Sequence, residues 1–395
     1  MADIAKWCGY NETKLKSVYW QYQQQFGQLS SQYHRVHAYI AASICVVGVL
    51  ANLAIIVVLL QPAMRRSSVN VLLTAIAAFD MSLMAAQFVY GMVDPVCHGV
   101  SFLFGWILFT VFYANYSVVA HTASLWLTVN MAALRYLIIR KSRRTTRALD
   151  TAATARKVVF CTLTAVCACS SLNFMRNQIV ELGPAMVPPA SCVNANTTLA
   201  YVYNIDRPPW WNCRLEKANF WFAGIMFKIV PCLMLTVFMA LLVHMLFAAR
   251  KRRQRLMHNR NNSRLRTDRT TVMLVLIVLV FLITELPQGV LVLATAADPA
   301  VMFLYRFFGD FLDLLSLINS SVNFILYCSM SAQFRTKFMS TFFGKCQTVD
   351  AAVDQADLAL TGTATTTNPE RTTHRSSVTS ALIDRKSTAQ SNGIL

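Results

Sequence analysis

Long apolar runs alternate with short polar gaps along the chain. From Tyr39 to Leu60 no residue carries a formal charge, and a helix needs about 20 largely apolar residues to cross the hydrocarbon core of a bilayer. Further runs follow at about Val69–Val93, Phe102–Leu134, Val158–Phe174, Phe220–Ala249, Thr271–Ala297 and Val301–Met330. The expected fold class is an all-α membrane protein, a bundle of seven transmembrane helices. Met1 to Arg35 is polar, so the first run reads as a signal anchor rather than a cleaved leader. Phe334 to Phe338 (Phe-Arg-Thr-Lys-Phe) reads as a short amphipathic eighth helix on the membrane surface. The domain reading is an extracellular segment at 1–37, a membrane domain at 38–345, and a Ser/Thr-rich disordered cytoplasmic tail at 346–395.

Composition sharpens this picture. Of 395 residues, 55% are hydrophobic and 14% charged, against roughly a quarter charged in soluble domains, which excludes a soluble globular protein. The net charge of +18 would suit a nucleic-acid binder only if the basic residues formed one face, and here they fall in alternate gaps between apolar runs. Arg65 and Arg66 follow the first run, Arg140 to Lys157 surround the gap after the third, and Arg250 to Arg269 fill the gap after the fifth. Positive residues are retained on the cytoplasmic side, so the N-terminus is expected outside and the C-terminus inside, with membrane lipid and no nucleic acid as the basic loops' partner.

The sequons at Asn11 and Asn196 lie on the expected outer side, as candidate glycosylation sites. Cys8, Cys97, Cys192 and Cys213 share that side, where disulfides persist, and four cysteines allow three pairings. Cys346, beyond the eighth helix, is a candidate for palmitoylation.

Ionisable groups in a membrane are costly and mark functional sites. Ser117, His121, Ser124, Thr128 and Arg135 recur in the third span at steps that place them on one helix face. Asp80 stands alone in the second span and needs a partner, a proton or a cation, with Asn52, Ser124, Asn319, Ser320 and Asn323 as candidate neighbours.

Asn52 after Gly48, the stretch Ile76 to Asp80, Leu134-Arg135-Tyr136, Pro231, Phe281 before Pro287, and Asn323 to Tyr327 resemble the span-by-span signatures of rhodopsin-like (class A) G-protein-coupled receptors. The runs His121 to Val129, Glu285 to Gly289 and Asn323 to Arg335 resemble invertebrate myosuppressin and FMRFamide-like neuropeptide receptors in particular. The resemblance implies no enzyme but a plasma-membrane receptor for an amidated neuropeptide, signalling through a heterotrimeric G protein, often of the inhibitory type. The Ser/Thr-rich tail is a candidate for phosphorylation by receptor kinases and recruitment of arrestin, with disorder alone as the alternative account of its composition. No other cofactor is expected beyond an allosteric sodium ion at Asp80, held by an activation network of Asn52, Ser124, Asn319, Ser320, Asn323 and Tyr327; a protonated Asp80 bonded to Asn323 is the alternative. Arg135, Tyr136, Met239, Arg266 and Arg269 are the expected G-protein contacts, with Tyr327 beside them.

The chain also departs from the family pattern. Leu134 replaces the acidic neighbour of Arg135, Glu285 the tryptophan before the sixth-span proline, Phe324 the seventh-span proline and Met239 the fifth-span tyrosine. The third-span cysteine of the common disulfide would fall at Thr110, so either Cys97 pairs with Cys192 or Cys213, or the two second-loop cysteines pair with each other.

Ser117 is no carboxylate, which argues against an amine ligand. The outer half of the bundle instead offers Tyr90, Asp94, His121, Lys228, Glu285, Gln288, Asp310 and Asp313, with Trp210, Trp211, Phe220, Trp221 and Phe222 nearby; Trp210 and Trp211 read as anchors at the membrane interface rather than as ligand contacts. An Arg-Phe-amide terminus requires a carboxylate, an apolar pocket and an amide-bonding group. Asp313 or Glu285 is the candidate for the arginine, and Gln288 or His121 for the amide. Against this, Glu285 and Lys228 would form an internal salt bridge, with Asp310 and Asp313 solvated or paired with Arg306. A receptor of the same fold for another ligand is the nearer rival, and a transporter using the intramembrane charges the remoter one.

Overall fold

The computed structural model describes residues 8, 11–96, 103–140, 149–187, 198–256, 262–298 and 301–344. Among the described residues, seven helices are long and apolar enough to span a membrane: Val36–Leu59, Ser68–Val93, Phe104–Arg140, Ala152–Cys169, Cys213–Ala248, Val275–Ala297 and Phe307–Cys328. They are numbered below as spans one to seven. The eighth helix is present as Ala332–Phe342.

The first helix runs unbroken from Glu12 to Leu59, so the segment expected outside the membrane at 1–37 is largely helical and continues directly into the first span, which starts at Val36. Its start is fixed by Asn11, whose side-chain oxygen accepts from the Thr13 amide at 3.0 Å and satisfies one of the orphan donors of the first turn. The polar composition of this extension hides an apolar stripe. Leu15 and Tyr19 pack on Phe303, and Phe26 meets Phe308 edge-on at 5.2 Å. A disulfide joins Cys8 to Cys213, 205 residues apart, and ties the start of this helix to the start of span five. Of the pairings open from sequence, those giving Cys213 to Cys97 or Cys192 are therefore set aside; Cys97 and Cys192 themselves lie outside the described residues.

Between spans four and five an antiparallel hairpin, β1 (Gln178–Val187) and β2 (Thr198–Asp206), adds a feature that the apolar runs did not announce. Its register shifts between Glu181 and Gly183, and Gly183 takes the positive φ of 94° that a glycine adopts without a Cβ clash. At the hairpin's base Glu216 accepts from Arg176 at 2.6 Å and from the Trp211 indole at 2.6 Å, with Arg207 at 3.6 Å.

Span five is α-helical at Cys213–Ala223, widens to a π-helical turn at Gly224–Ile229, and resumes at Val230–Leu256. The Met226 carbonyl in that turn accepts the Trp126 indole of span three at 3.2 Å. Span six approaches the same turn closely, because a Cβ on Gly289 would lie 2.9 Å from the Lys228 Cβ. Pro287 sits inside the sixth helix, Asn262–Ala297.

On the side carrying the basic loops, Asp150 Oδ1 accepts from the Ser68 amide at 2.8 Å and its hydroxyl at 2.9 Å. A carboxylate thus meets the positive end of the span-two helix. Leu134 is buried against Leu72, Ile76, Leu127 and Ala155, which accounts for an apolar residue where an acid would have no room for water. Phe324 meets Phe334 and Phe338 edge-on at 6.3 and 5.3 Å. The ring that replaces proline therefore anchors the eighth helix, whose Phe334 is completely buried.

Candidate functional site

A cavity of about 440 Å³ opens in the half of the bundle that carries the hairpin. Of the expected ligand residues, Tyr90, Ser117, His121, Lys228, Gln288 and Asp313 line it. Helix periodicity puts Ser117 and His121 there together, one turn apart on span three. Their partners on the same face do other things: Ser124 reaches Asp80, and Thr128 bonds the Ser124 carbonyl of its own helix at 3.0 Å, the back-bonding common for a hydroxyl within a helix.

Glu285 is not part of the cavity wall. It is fully buried, its Oε2 accepts from the Lys228 ammonium at 2.7 Å and lies 3.0 Å from His121 Nε2, and its Oε1 accepts from Asn319 at 3.4 Å. The geometry is the internal salt bridge rather than a carboxylate free to meet a ligand. Two separate effects hold it: burial of an isolated charge is expensive, and a cation at hydrogen-bond distance offsets that expense.

Asp313 differs. Its side chain is exposed to the cavity, and no hydrogen bond or ion pair engages it among the described residues. Asp310 turns outward and accepts from His34 of the first helix at 2.7 Å, so it is neither a cavity residue nor simply solvated. Burial, then the charges of Asp310 and Asp313, raise the Tyr33 phenol of the first helix above its usual value. The side chains of Asp94 and Arg306 lie outside the described set.

Of the aromatic residues expected near the ligand, Tyr90 is in the cavity wall and the cluster near span five is not. Trp210, Trp211, Phe220, Trp221 and Phe222 do not line the cavity; Tyr90, Tyr113, Phe227 and Tyr305 do. Trp211 is buried on Glu216, and Phe220 packs under the Arg176 guanidinium at 5.2 Å. Tyr90 stacks on Tyr113 at 4.6 Å and on Trp106 at 6.1 Å, and Gln87 accepts the Tyr113 hydroxyl. The signal for Tyr113 was the recurrence Trp106, Phe109, Tyr113 on span three, an aromatic stripe at helical spacing.

Beneath the cavity Asp80, 1% exposed, is held by three neutral donors. Its Oδ1 accepts from Ser124 at 2.8 Å and Ser320 at 3.2 Å, and its Oδ2 from Asn323 at 2.8 Å. Asn319 is not among them, since its amide faces Glu285. Asn52 donates to the Gly48 and Ser320 carbonyls at 2.9 and 3.2 Å, leaving its Oδ1 buried without a partner among the described residues.

At the opposite end Arg135 donates to the Tyr327 hydroxyl at 3.2 Å, and that hydroxyl donates to the Met131 sulfur at 3.4 Å. Tyr136 accepts from Arg140 at 2.9 Å. Met239 is not at a surface: it is buried in a cluster with Leu125, Val129, Leu235 and Phe281, so its expected direct contact with a G protein is corrected to a packing position. The Arg266 and Arg269 side chains lie outside the described residues.

Seven spans around a mouthed cavity, with buried polar clusters at Glu285 and Asp80 and an arginine–tyrosine pair at the far end, have the form of a G-protein-coupled receptor. The chain belongs to the family described as serpentine type 7TM GPCR chemoreceptor Srw, whose sequence profile matches residues 39–345. It is 32% identical over 354 residues to the G-protein coupled receptor dmsr-1 of Caenorhabditis elegans, spanning 78% of this chain and 68% of that one. It is also 27% identical to the FMRFamide receptor of Drosophila melanogaster, over 84% of this chain and 58% of that protein. The Sex peptide receptor of the same fly is 23% identical, over 78% and 73% of the two chains. The rhodopsin-like and FMRFamide-receptor-like character read from the sequence thus stands, and the chain is a multi-pass membrane protein.

Proposed function

We propose that this receptor takes an amidated neuropeptide of the Arg-Phe-amide type into the cavity and passes the signal to a heterotrimeric G protein, of the inhibitory type. The observation that carries the reading is Asp313, an exposed cavity carboxylate with no partner among the described residues. It is placed to meet a guanidinium in a charge-assisted pair. Tyr90, Tyr113 and Phe227 offer the apolar wall for the phenylalanine ring, and Gln288 or His121 the polar groups for the terminal amide. The names of the fly relatives, both receptors for peptides, support the ligand class.

Arg135 enters the G-protein contact once it leaves Tyr327, and Arg266 and Arg269 flank it. The receptor resides in the plasma membrane with its N-terminus outside, an orientation that rests on the basic loops and agrees with a disulfide at Cys8 and Cys213, since disulfides persist in oxidising compartments. Asn11 and Asn196 carry glycans, Cys346 a palmitoyl group, and the tail meets receptor kinases and arrestin when phosphorylated. A sodium ion at Asp80 restrains the inactive state. The Asp80 carboxylate with the Ser124 and Ser320 hydroxyls supplies hard oxygen donors, and the orphaned Asn52 Oδ1 nearby in the same hydrogen-bonded network supports a further polar occupant.

A G-protein activation assay on the expressed receptor, with Arg-Phe-amide peptides beside their free-acid counterparts, tests the reading. The expected result is an amide-dependent response. Silence from a receptor present at the cell surface contradicts the ligand class.

A further inference from the structure

The floor of the cavity carries a cation that is already neutralised from behind. Lys228 and His121 each present 12% of their side-chain surface, whereas the Glu285 carboxylate between them presents none. We infer that Glu285, by neutralising Lys228, keeps the cavity floor from attracting a terminal carboxylate and so preserves a preference for an uncharged carboxamide over the corresponding free acid. This rests on the amidated-peptide reading above and adds to it the residue that protects that preference.

An unpaired lysine at the floor of a partly desolvated cavity would attract a terminal carboxylate strongly. Glu285, 2.7 Å from the ammonium, takes that attraction away, and its other oxygen is occupied by Asn319 at 3.4 Å. A ligand carboxylate arriving at Lys228 must then compete with Glu285 for the same ammonium. It must also share the cavity with the Asp313 charge. A carboxamide meets no such repulsion, and it both donates and accepts, which matches Gln288 and His121 in the wall. Glu285 is therefore a positioning residue: it acts through Lys228 and does not touch the ligand. The selectivity is the difference between two affinities, set largely by the repulsion of the wrong terminus.

The test compares potencies of one peptide as amide and as free acid on wild type, Glu285→Gln, Lys228→Gln and the double variant, each quantified at the cell surface. Wild type is expected to favour the amide. Glu285→Gln frees the ammonium, and the amide-to-acid preference is expected to fall about 10-fold, equivalent to about 1.4 kcal/mol, because the acid gains. Lys228→Gln leaves a buried carboxylate near the floor, and the acid is expected to lose further ground. The double variant removes both charges and is expected to return to within about threefold of wild type, a difference under 1 kcal/mol. It carries the test if either single variant fails to reach the surface, and a shift of about 10-fold in its preference overturns the inference. An unchanged preference in a surface-expressed Glu285→Gln receptor does so too, and leaves the ligand class intact. Wild-type silence toward every amidated peptide instead removes the ligand class itself, and with it this inference.

Discussion

Asp80 and Glu285 are both carboxylates sealed inside the bundle, at 1% and 0% exposure, and the protein treats them in opposite ways. Glu285 meets a lysine and a histidine, and its charge is cancelled on the spot. Asp80 meets two hydroxyls and an amide, so its oxygens are hydrogen-bonded while no cation stands at contact distance among the described residues. The lesson is chemical. A carboxylate paired with an ammonium is a fixed structural element, whereas one held by neutral donors keeps the capacity to take up a proton or an ion. The two are linked in sequence at Asn319 and Ser320, adjacent residues that divide between them: the first turns to Glu285, the second to Asp80.

Removing the cation from the first site should produce the largest effect. Lys228→Met leaves Glu285 buried with only His121 and the Asn319 amide beside it among the described residues, and breaking a buried pair from one side costs about 3–5 kcal/mol. The expected outcome is a lower thermal unfolding midpoint and reduced surface expression. Replacing both, Lys228→Met with Glu285→Met, should recover most of the loss, since an apolar pair of similar volume is near neutral.

Asp80→Asn sharpens the other side of the comparison. It keeps a side chain of the same shape, so stability is expected to change by about 1 kcal/mol, the scale of one or two altered hydrogen bonds. The sodium dependence of agonist affinity, measured with potassium or choline as replacement, should disappear. Retention of that dependence would contradict a sodium site at Asp80.

The smallest effects are expected from the adjacent pair. Asn319→Ala removes a 3.4 Å contact to Glu285, and should cost about 0.5–1.5 kcal/mol in stability while leaving the sodium response intact. Ser320→Ala should weaken the sodium response with a similarly small cost in stability. Titration of affinity against sodium for both variants checks the division.

Much of this architecture was legible in the chain because membrane crossing imposes its own pattern: uninterrupted apolar length and positive charge in alternate gaps. Asp80's neighbours were legible too, as Ser124, Ser320 and Asn323 belong to motifs in their own spans. The Glu285 triad was readable only as a set of alternatives, because its members are 57 and 164 residues apart and only packing decides which two meet. The helical extension from Glu12 was hidden by its polar composition. Its few inward residues, Leu15, Tyr19 and Phe26, have meaning only against Phe303 and Phe308 of the helix Met302–Met330 that contains span seven. Tyr113, Phe227 and Tyr305 were missed for a related reason: the Trp and Phe cluster near span five is denser in sequence, yet its Trp211 and Phe220 pack at the hairpin's base.

The central claim is that Asp313, not Glu285, meets the ligand's arginine. The direct measurement is a charge-swap cycle in the G-protein activation assay: wild-type and Asp313→Asn receptors, each challenged with an Arg-Phe-amide peptide and with the same peptide carrying citrulline in place of arginine. The account predicts that Asp313→Asn weakens the arginine peptide by about 10- to 100-fold, the range of one hydrogen-bonded charge pair at about 1.5–3 kcal/mol, and leaves the citrulline peptide almost unaffected. Equal losses for both peptides, or none for either, would contradict it.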